Sequence, residues 1–238
     1  YQTDAVEAVV NVFAGQGFHE GIHYIRDLGV RPKAPAEPLF TEPEQMSFIP
    51  ADRQLSVDDV ELDDDTGFKN EELALSDAQL LQNIHKLQSE NNIKLSPELV
   101  KGLGRCSLDV EMETGTGKTY VYIKTMFELN KVYGWSKFIV VVPSIAIREG
   151  VKKSFDTMAN HFMEYYGKKA RVFIYNSQNL NQLDNFSAGW GIQVMIINTQ
   201  AFASSMKEDG KSKEARIIYS KRDEFASRRP IDVIKANR

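Results

Sequence analysis

The apolar side chains at the start of the chain recur three or four positions apart, which is the spacing of a helix that buries one face. They are Ala5, Val6, Val9, Val10 and Phe13. This pattern predicts an amphipathic helix over residues 1–14. Two glycines, Gly15 and Gly17, follow at once and are expected to end it.

Two further helix starts are indicated before residue 100. Ser76 precedes a run of leucines and isoleucine at helical spacing, which predicts an N-cap followed by a helix through Leu87. The sequence Ser96-Pro97-Glu98 has the same form, with proline at the first helical position, and predicts a second helix.

From residue 107 onward the pattern changes to short apolar runs separated by longer amphipathic stretches. Strands are predicted at residues 107–112, 137–142, 171–175 and 193–197. Helices are predicted from the glycine-rich turn at residues 114–117 to about Lys131, from about residue 145 to 166, and over residues 230–236. The polar and basic stretch 206–229 is expected to be an exposed excursion. Apolar strands that alternate with helices indicate an α/β fold with a buried parallel sheet flanked by helices.

Composition narrows the classes of protein that fit. The chain has 238 residues, 42% of them hydrophobic and 26% charged, which is typical of a globular protein. Cys106 is the single cysteine, so an intrachain disulfide and a multi-cysteine zinc site are excluded. The apolar runs are far shorter than the ~20 residues of a membrane span, and no membrane association is expected.

The charge is unevenly distributed along the chain. Residues 1–106 carry 9 Lys+Arg and 19 Asp+Glu, whereas residues 107–238 carry 20 and 14, within a net charge of -4. The basic second half suits contact with a phosphate backbone better than the acidic first half does.

The clearest chemical signal is a glycine-containing turn between a predicted strand and a predicted helix. Its residues are Thr114, Gly115, Thr116, Gly117, Lys118 and Thr119. Glycines allow backbone N–H groups to approach phosphates closely, and the following helix directs its positive end at the anion. Lys118 is placed to reach the β- and γ-phosphates, and the Thr119 hydroxyl to hold Mg²⁺. Met112 stands where the usual phosphate-loop pattern has its first glycine.

This loop resembles motif I of superfamily 2 helicases, and several separated segments resemble the Res subunit of type III restriction enzymes. The segments are residues 1–16, 108–119, 127–130, 137–151 and 194–202. They follow one another in the order that this family shows. The resemblance implies a RecA-like ATP-binding domain, with ATP and Mg²⁺ as cofactors.

Further roles are implied by the resemblance, residue by residue. Gln2 is similar to the glutamine that reads the adenine edge, since an amide both donates and accepts hydrogen bonds. Pro143, Ser144 and Arg148 resemble motif Ia, which binds a nucleic-acid backbone phosphate. Asn198 and Thr199 resemble the segment that lines the same track. Backbone contacts carry no sequence information, as a motor that moves along any double-stranded DNA requires.

The resemblance also implies a division of the chain and a set of partners. Residues 1–16 would be the adenine-motif helix of the motor, residues 17–104 an inserted or accessory segment, and residues 105–238 the first RecA-like domain, ending before the acidic motif II. The chain alone is therefore expected not to hydrolyse ATP. A methyltransferase (Mod) partner, a nuclease domain elsewhere in the polypeptide and a bacterial cytoplasmic location are implied as well.

Two alternatives from other functional classes stay open at this point. The first is a nucleotide-binding regulatory or assembly module without motor activity. The second is a zinc metalloprotease, because His19-Glu20-Gly21-Ile22-His23 fits the H-E-x-x-H pattern. That pattern requires a helix, and the nearby glycines at 15, 17 and 21 disfavour one.

Overall fold

The structure, a computed structural model, describes residues 1–29, 65–102, 104–201 and 217–237. The helices are α1 (Gln2–Asn11), α2 (Asp77–Glu90), α3 (Lys118–Tyr133), α4 (Ile145–Tyr166), α5 (Asn181–Ala188) and α6 (Pro230–Ala236). The strands are β1 (Ile22–Ile25), β2 (Thr66–Lys69), β3 (Lys137–Val142), β4 (Arg171–Ile174) and β5 (Gln193–Asn198). Short 3-10 helices span Thr199–Ala201 and Asp223–Phe225.

The last three strands form a parallel sheet in the order β3–β5–β4. The central strand β5 is buried on both faces, because residues 194–197 are at most 1% exposed. This explains why residues 194–197 form a continuous apolar run in the sequence rather than an alternating one. The prediction of an α/β fold with a parallel sheet is confirmed.

The two faces of the sheet pack into separate hydrophobic clusters, since successive strand side chains point to opposite sides. Val194 and Ile196 pack with α3 and α4 through a set of stacked aromatic rings that includes Phe127 and Phe162. Met195 and Ile197 pack with α5 and α6 on the opposite face. The sheet is thus flanked by helices on both sides.

Helix α1 packs on α3, the helix that follows the phosphate loop. Val6 and Val10 of α1 form a buried cluster with Val121 and Tyr133 of α3. The Tyr133 hydroxyl donates a hydrogen bond to the Val10 carbonyl oxygen at 2.9 Å. Burial raises the pKa of this phenol. This packing fixes the first turn of α1 beside the start of α3.

An antiparallel pair of strands, β1 and β2, which was not predicted from the sequence, is attached to the parallel sheet through the residue after β2. The Asn70 side chain binds the chain at the start of β3: its amide oxygen accepts from the N–H groups of Ser136 and Lys137, and its NH₂ donates to the Lys137 carbonyl oxygen. Lys137 itself is buried and donates to the carbonyl oxygens of Phe186 and Gly189. Burial, with a smaller effect of Arg26, lowers the pKa of Lys137 to about 7.

A buried ion pair connects α5 to the segment before α6. The Arg228 guanidinium makes two parallel hydrogen bonds of 2.8 Å to the Asp184 carboxylate. It also donates to the Asp27 carbonyl oxygen after β1 and lies 3.9 Å from the centre of the Phe225 ring. Because the Arg228 side chain is only 8% exposed, these contacts replace its hydration.

Helix α2 begins at the predicted N-cap. The Ser76 hydroxyl accepts from the Gln79 N–H at 3.3 Å, and the Gln79 side chain accepts from the Ser76 N–H at 2.9 Å, which completes a capping box.

Replacing Ser76 with Ala is therefore expected to lower the free energy of unfolding by about 1 kcal/mol, because one helix N–H loses its acceptor. Urea denaturation measures this change. Ser89→Ala, at an exposed position near the end of the same helix, is the control and is expected to shift the midpoint little. Equal midpoints for Ser76→Ala and the unsubstituted chain would contradict the prediction.

The strand predicted over residues 107–112 is wrong. The chain there has no regular secondary structure, and in the described part of the molecule it joins no strand ladder. Leu108 and Met112 pack against hydrophobic clusters, while Val110 is 50% exposed. Acidic residues separate these three apolar positions, so the segment lacks the continuous apolar run of a buried parallel strand.

The helix predicted from Ser96 is also wrong. Residues 93–98 form no helix, and Ser96 is used in a different contact. The Gln88 side chain bonds to both the N–H and the hydroxyl of Ser96, and His85 bonds to its carbonyl oxygen. These bonds hold the segment against α2 in an irregular conformation.

The expectation of an exposed excursion over residues 206–229 is wrong for the part that is described. Residues 202–216 lie outside the described residues. From residue 217 the chain packs on the sheet, since Ile218 and Phe225 are at most 2% exposed and belong to the cluster on that face. Because basic residues surround Ile218 and Phe225 in the sequence, the burial of these two side chains could not be predicted from the pattern. In the described residues, no helix has the length and apolar character that crossing a membrane requires.

Candidate functional site: the phosphate loop and the ends of the parallel strands

The predicted phosphate loop forms an exposed turn that leads directly into α3. Gly115 and Gly117 have φ values of 84° and 86°, the left-handed region that glycine adopts without strain. Thr116 folds the turn, because its hydroxyl donates to the Glu113 carbonyl oxygen at 2.6 Å. Gly117 is the N-cap of α3 and has no side chain to accept from the first N–H groups of the helix. Those groups remain directed at the loop.

Lys118 folds back over the same turn. Its ammonium group donates to the carbonyl oxygens of Met112 and Glu113 at 2.9 and 2.7 Å. The amine is exposed and lies on the loop itself, next to the first turn of α3. The loop thus combines a helix N-terminus, two glycines and a cation, which together suit a polyphosphate.

Gln2 lies against this loop although 114 residues separate it from Thr116 along the chain. Its side-chain amide donates to the Thr116 carbonyl oxygen at 2.8 Å. A Cβ atom on Gly117 would lie 2.3 Å from the same amide nitrogen, so any side chain at this position would displace the Gln2 amide. The structure therefore brings together Gln2 and the loop residues 114–119, which sequence analysis placed in one nucleotide site.

The second predicted group of residues lies where β3 and β5 end. Val142 and Asn198 are partners in the parallel register, so Pro143 and Ser144 leave the sheet beside Thr199. The Ser144 hydroxyl caps α4 by accepting from the Ile147 N–H at 3.3 Å. These residues were predicted to lie along one track, and the register brings them to the same edge of the sheet.

A cleft of about 600 Å³ opens at this edge. Arg148 and Asn198 line it, as do residues that sequence analysis missed, in the connection from β4 to α5. The chain carries five Asn or Gln side chains within residues 176–182, and this run was the available signal. Burial raises the pKa of Tyr175, on the wall of the cleft, to about 12, so its phenol stays neutral at physiological pH.

The geometry that the metalloprotease alternative requires is not formed. His23 lies on strand β1 with its ring against Phe68, not on a helix. His19 pairs with Glu71 at 2.6 Å, and Glu20 pairs with Lys168 at 2.8 Å. Among the described residues, no group of three or more His, Cys, Asp or Glu side chains is arranged to hold a metal ion.

Comparison with known proteins decides the family. The family model described as "Type III restriction enzyme, res subunit" matches residues 72–225, well over half of the chain. The chain belongs to this Res subunit family. The family assignment and the parallel sheet together confirm the RecA-like α/β class, and they confirm the resemblance found in the sequence.

Individual Res subunits are similar over parts of the chain. The EcoP15I Res subunit of Escherichia coli is 41% identical over 111 residues, which are 46% of this chain and 11% of that protein. The EcoPI Res subunit of Escherichia phage P1 is 39% identical over 148 residues, 55% of this chain and 15% of that protein. The StyLTI Res subunit of Salmonella typhimurium is 48% identical over 64 residues, which are 26% of this chain and 6% of that protein. The chain thus matches only about a tenth of the length of these Res subunits.

Proposed function

We propose that the chain is the ATP-binding part of an ATP-dependent DNA translocase, within the Res subunit of a type III restriction endonuclease. The contact of Gln2 with the Thr116 carbonyl oxygen carries this proposal. It places an amide that suits adenine beside a loop that suits a triphosphate, although the two segments are far apart in sequence. A Gly-Lys-Thr turn that occurred by chance would not be expected to contact an amide from so distant a segment.

Each residue of the loop has a role in this proposal. The backbone N–H groups of residues 114–119 and the Lys118 ammonium bind the phosphates of ATP. The Thr119 hydroxyl is a ligand of the Mg²⁺ that accompanies ATP. Gln2 selects adenine through paired hydrogen bonds. Lys118 and Thr119 are the residues of this chain assigned to catalysis, and Mg²⁺ supplies charge neutralisation at the phosphates when bound.

Double-stranded DNA is proposed to lie along the ends of the parallel strands. Pro143, Ser144, Arg148, Asn198 and Thr199 contact its phosphate backbone. The register of β3 and β5 supports this assignment, because it aligns two segments that are 56 residues apart into one continuous edge. Contacts of this type fix the position of the protein on the duplex without reading bases.

The organisation and the partners are proposed from the family. Residues 1–16 are assigned to the adenine-binding helix, 17–104 to an accessory segment and 105–238 to the first RecA-like domain. A methyltransferase (Mod) subunit recognises the DNA sequence, and the complex works in the bacterial cytoplasm. ATP hydrolysis and DNA cleavage are assigned to the complete Res polypeptide rather than to this chain alone.

Replacing Gln2 with Ala tests the adenine assignment. The preference for binding ATP over GTP is expected to fall by about tenfold, since a pair of hydrogen bonds to the base is lost while the phosphate contacts stay. Competition of ATP and GTP for a fluorescent triphosphate measures the preference in the complete polypeptide. Asn11→Ala removes an exposed amide from the same helix and is the control. An unchanged preference in Gln2→Ala would refute the assignment.

A further inference from the structure

Three segments of the chain meet in the cleft at the ends of the parallel strands. They are the first turns of α4, the connection from β4 to α5, and the residues after β5. The first and third of these contain residues already assigned to the DNA track. The second, residues 176–182, has no assigned role and forms the wall of the cleft beside β4, the other edge strand of the sheet.

This wall presents amide side chains that make no hydrogen bond to the described residues. Gln178, Asn179 and Gln182 line the cleft, and their side chains bond to no group in the described part of the chain. Asn176 holds the segment in shape, because its side-chain oxygen accepts from the Gln178 N–H at 2.9 Å. Its carbonyl oxygen accepts from the Asn179 N–H at 3.0 Å. Gln178 and Asn179 are therefore displayed on a folded turn, and Gln182 follows in the first turn of α5.

The cations that line the cleft lie on α4, and each has an acidic neighbour. Arg148 pairs with Glu149 at 2.9 Å, and Lys152 pairs with Asp156 at 2.5 Å. Among the residues described as lining the cleft, none is acidic. A strand that enters the cleft would therefore meet partly neutralised cations on one side and free, uncharged donors on the other.

We propose that Gln178, Asn179 and Gln182 form a third contact segment for the DNA backbone. Their NH₂ groups donate hydrogen bonds to phosphate and sugar oxygens of the strand that Arg148 and Asn198 contact from the other side. Asn176 is a positioning residue that keeps the turn in its binding conformation. This inference rests on the proposed DNA-tracking function and adds the contacts that make the cleft two-sided.

Neutral donors have a measurable signature. A lysine or arginine that neutralises a phosphate releases a counterion. Each such contact therefore steepens the slope of the logarithm of the binding constant against the logarithm of salt concentration by about 0.9. An amide releases no counterion. Its hydrogen bond therefore strengthens binding by a similar factor at all salt concentrations.

The test compares amide and cation variants of the complete Res polypeptide. Binding of a DNA duplex without a recognition site is measured by fluorescence anisotropy from ~50 to ~200 mM salt. Gln178→Ala and Gln182→Ala are each expected to weaken binding about three- to tenfold with an unchanged salt slope. Arg148→Ala is expected to lower the slope by about 0.9. Gln178→Glu, which places a negative charge at the same position, is expected to weaken binding more at low salt than at high salt.

Asn181→Ala is the matched control, because Asn181 is an exposed amide next to Gln182 that does not line the cleft. Wild-type binding by this variant, together with weaker binding by the two cleft variants, supports the inference. If Arg148→Ala weakens binding and the amide variants bind like wild type, the amide segment is not a contact and the proposed DNA track stands. If Arg148→Ala also binds like wild type at every salt concentration, the proposed track itself is wrong.

Discussion

Replacing Lys118 with Ala is expected to lower the affinity for ATP at least about a hundredfold. The ammonium group is the only side-chain cation that the structure shows within the loop of residues 112–119, where it donates to two carbonyl oxygens of the turn. Bonds from an ammonium group to phosphate oxygens are charge-assisted, and two of them contribute about 3 to 6 kcal/mol in total. Isothermal titration of the complete polypeptide with a non-hydrolysable ATP analogue measures the loss.

Two further variants make this result interpretable. Lys131→Ala removes a lysine from the last turn of the same helix. Lys131 pairs with Glu128 at 3.6 Å, and its own side chain is largely exposed. It is expected to bind ATP like the wild type. Lys118→Arg keeps the charge but changes its shape and reach, so intermediate binding is expected. ATP binding by Lys118→Ala at wild-type affinity would show that the loop is not the phosphate site.

Replacing Asp184 with Ala is expected to lower the free energy of unfolding by about 3 to 5 kcal/mol. The variant leaves the Arg228 guanidinium buried without its carboxylate, and an uncompensated buried charge is among the most costly defects in a protein interior. Arg228 would keep its bonds to the carbonyl oxygens of Asp27 and Phe225, which limit the loss without replacing the opposite charge. Urea denaturation of the 238-residue chain measures the change.

A neighbouring pair provides the control for burial. Arg229 and Asp232 also form a close ion pair, at 2.6 Å, but both side chains are about half exposed. Asp232→Ala is expected to change the free energy of unfolding by less than about 1 kcal/mol, because exposed pairs contribute little. Equal losses in Asp184→Ala and Asp232→Ala would mean that the junction between α5 and the segment before α6 does not depend on the buried charge.

Elements with a strong local signal were predictable from the sequence. Strand β3 and helix α4 have the predicted bounds, because an apolar β-branched run and a long amphipathic stretch each determine one conformation. The N-cap at Ser76 was predictable for the same reason, since a capping box involves only residues that are three positions apart.

Elements that depend on distant partners were not predictable. Strands β1 and β2 have four residues each and are separated by residues 26–65, so neither shows a pattern until the other pairs with it. Helix α5 was missed because only Leu183 and Phe186 mark its buried face. The segment 107–112 was predicted as a strand from its place before the phosphate loop in a series of apolar strands and helices, but no described strand lies beside it to form the ladder.

The candidate site divides in the same way. The phosphate loop and the Ser144 cap after β3 follow from local sequence and were predictable as geometry. The contact of Gln2 with the loop was expected only through the resemblance to Res subunits. The amide side chains of residues 176–182 were missed, because nothing in the sequence distinguishes Gln178 and Gln182 from ordinary surface residues. Only the pairing of β4 with β5 brings them to the cleft.

A structure of the complete polypeptide with a non-hydrolysable ATP analogue and Mg²⁺ tests the central claim most directly. We expect phosphate oxygens within about 3 Å of the backbone N–H groups of the loop. The Lys118 ammonium should leave the carbonyl oxygens of Met112 and Glu113 for the phosphates, with the adenine ring at Gln2. A nucleotide bound elsewhere, while Lys118 keeps both carbonyl contacts, would contradict the assignment of this loop.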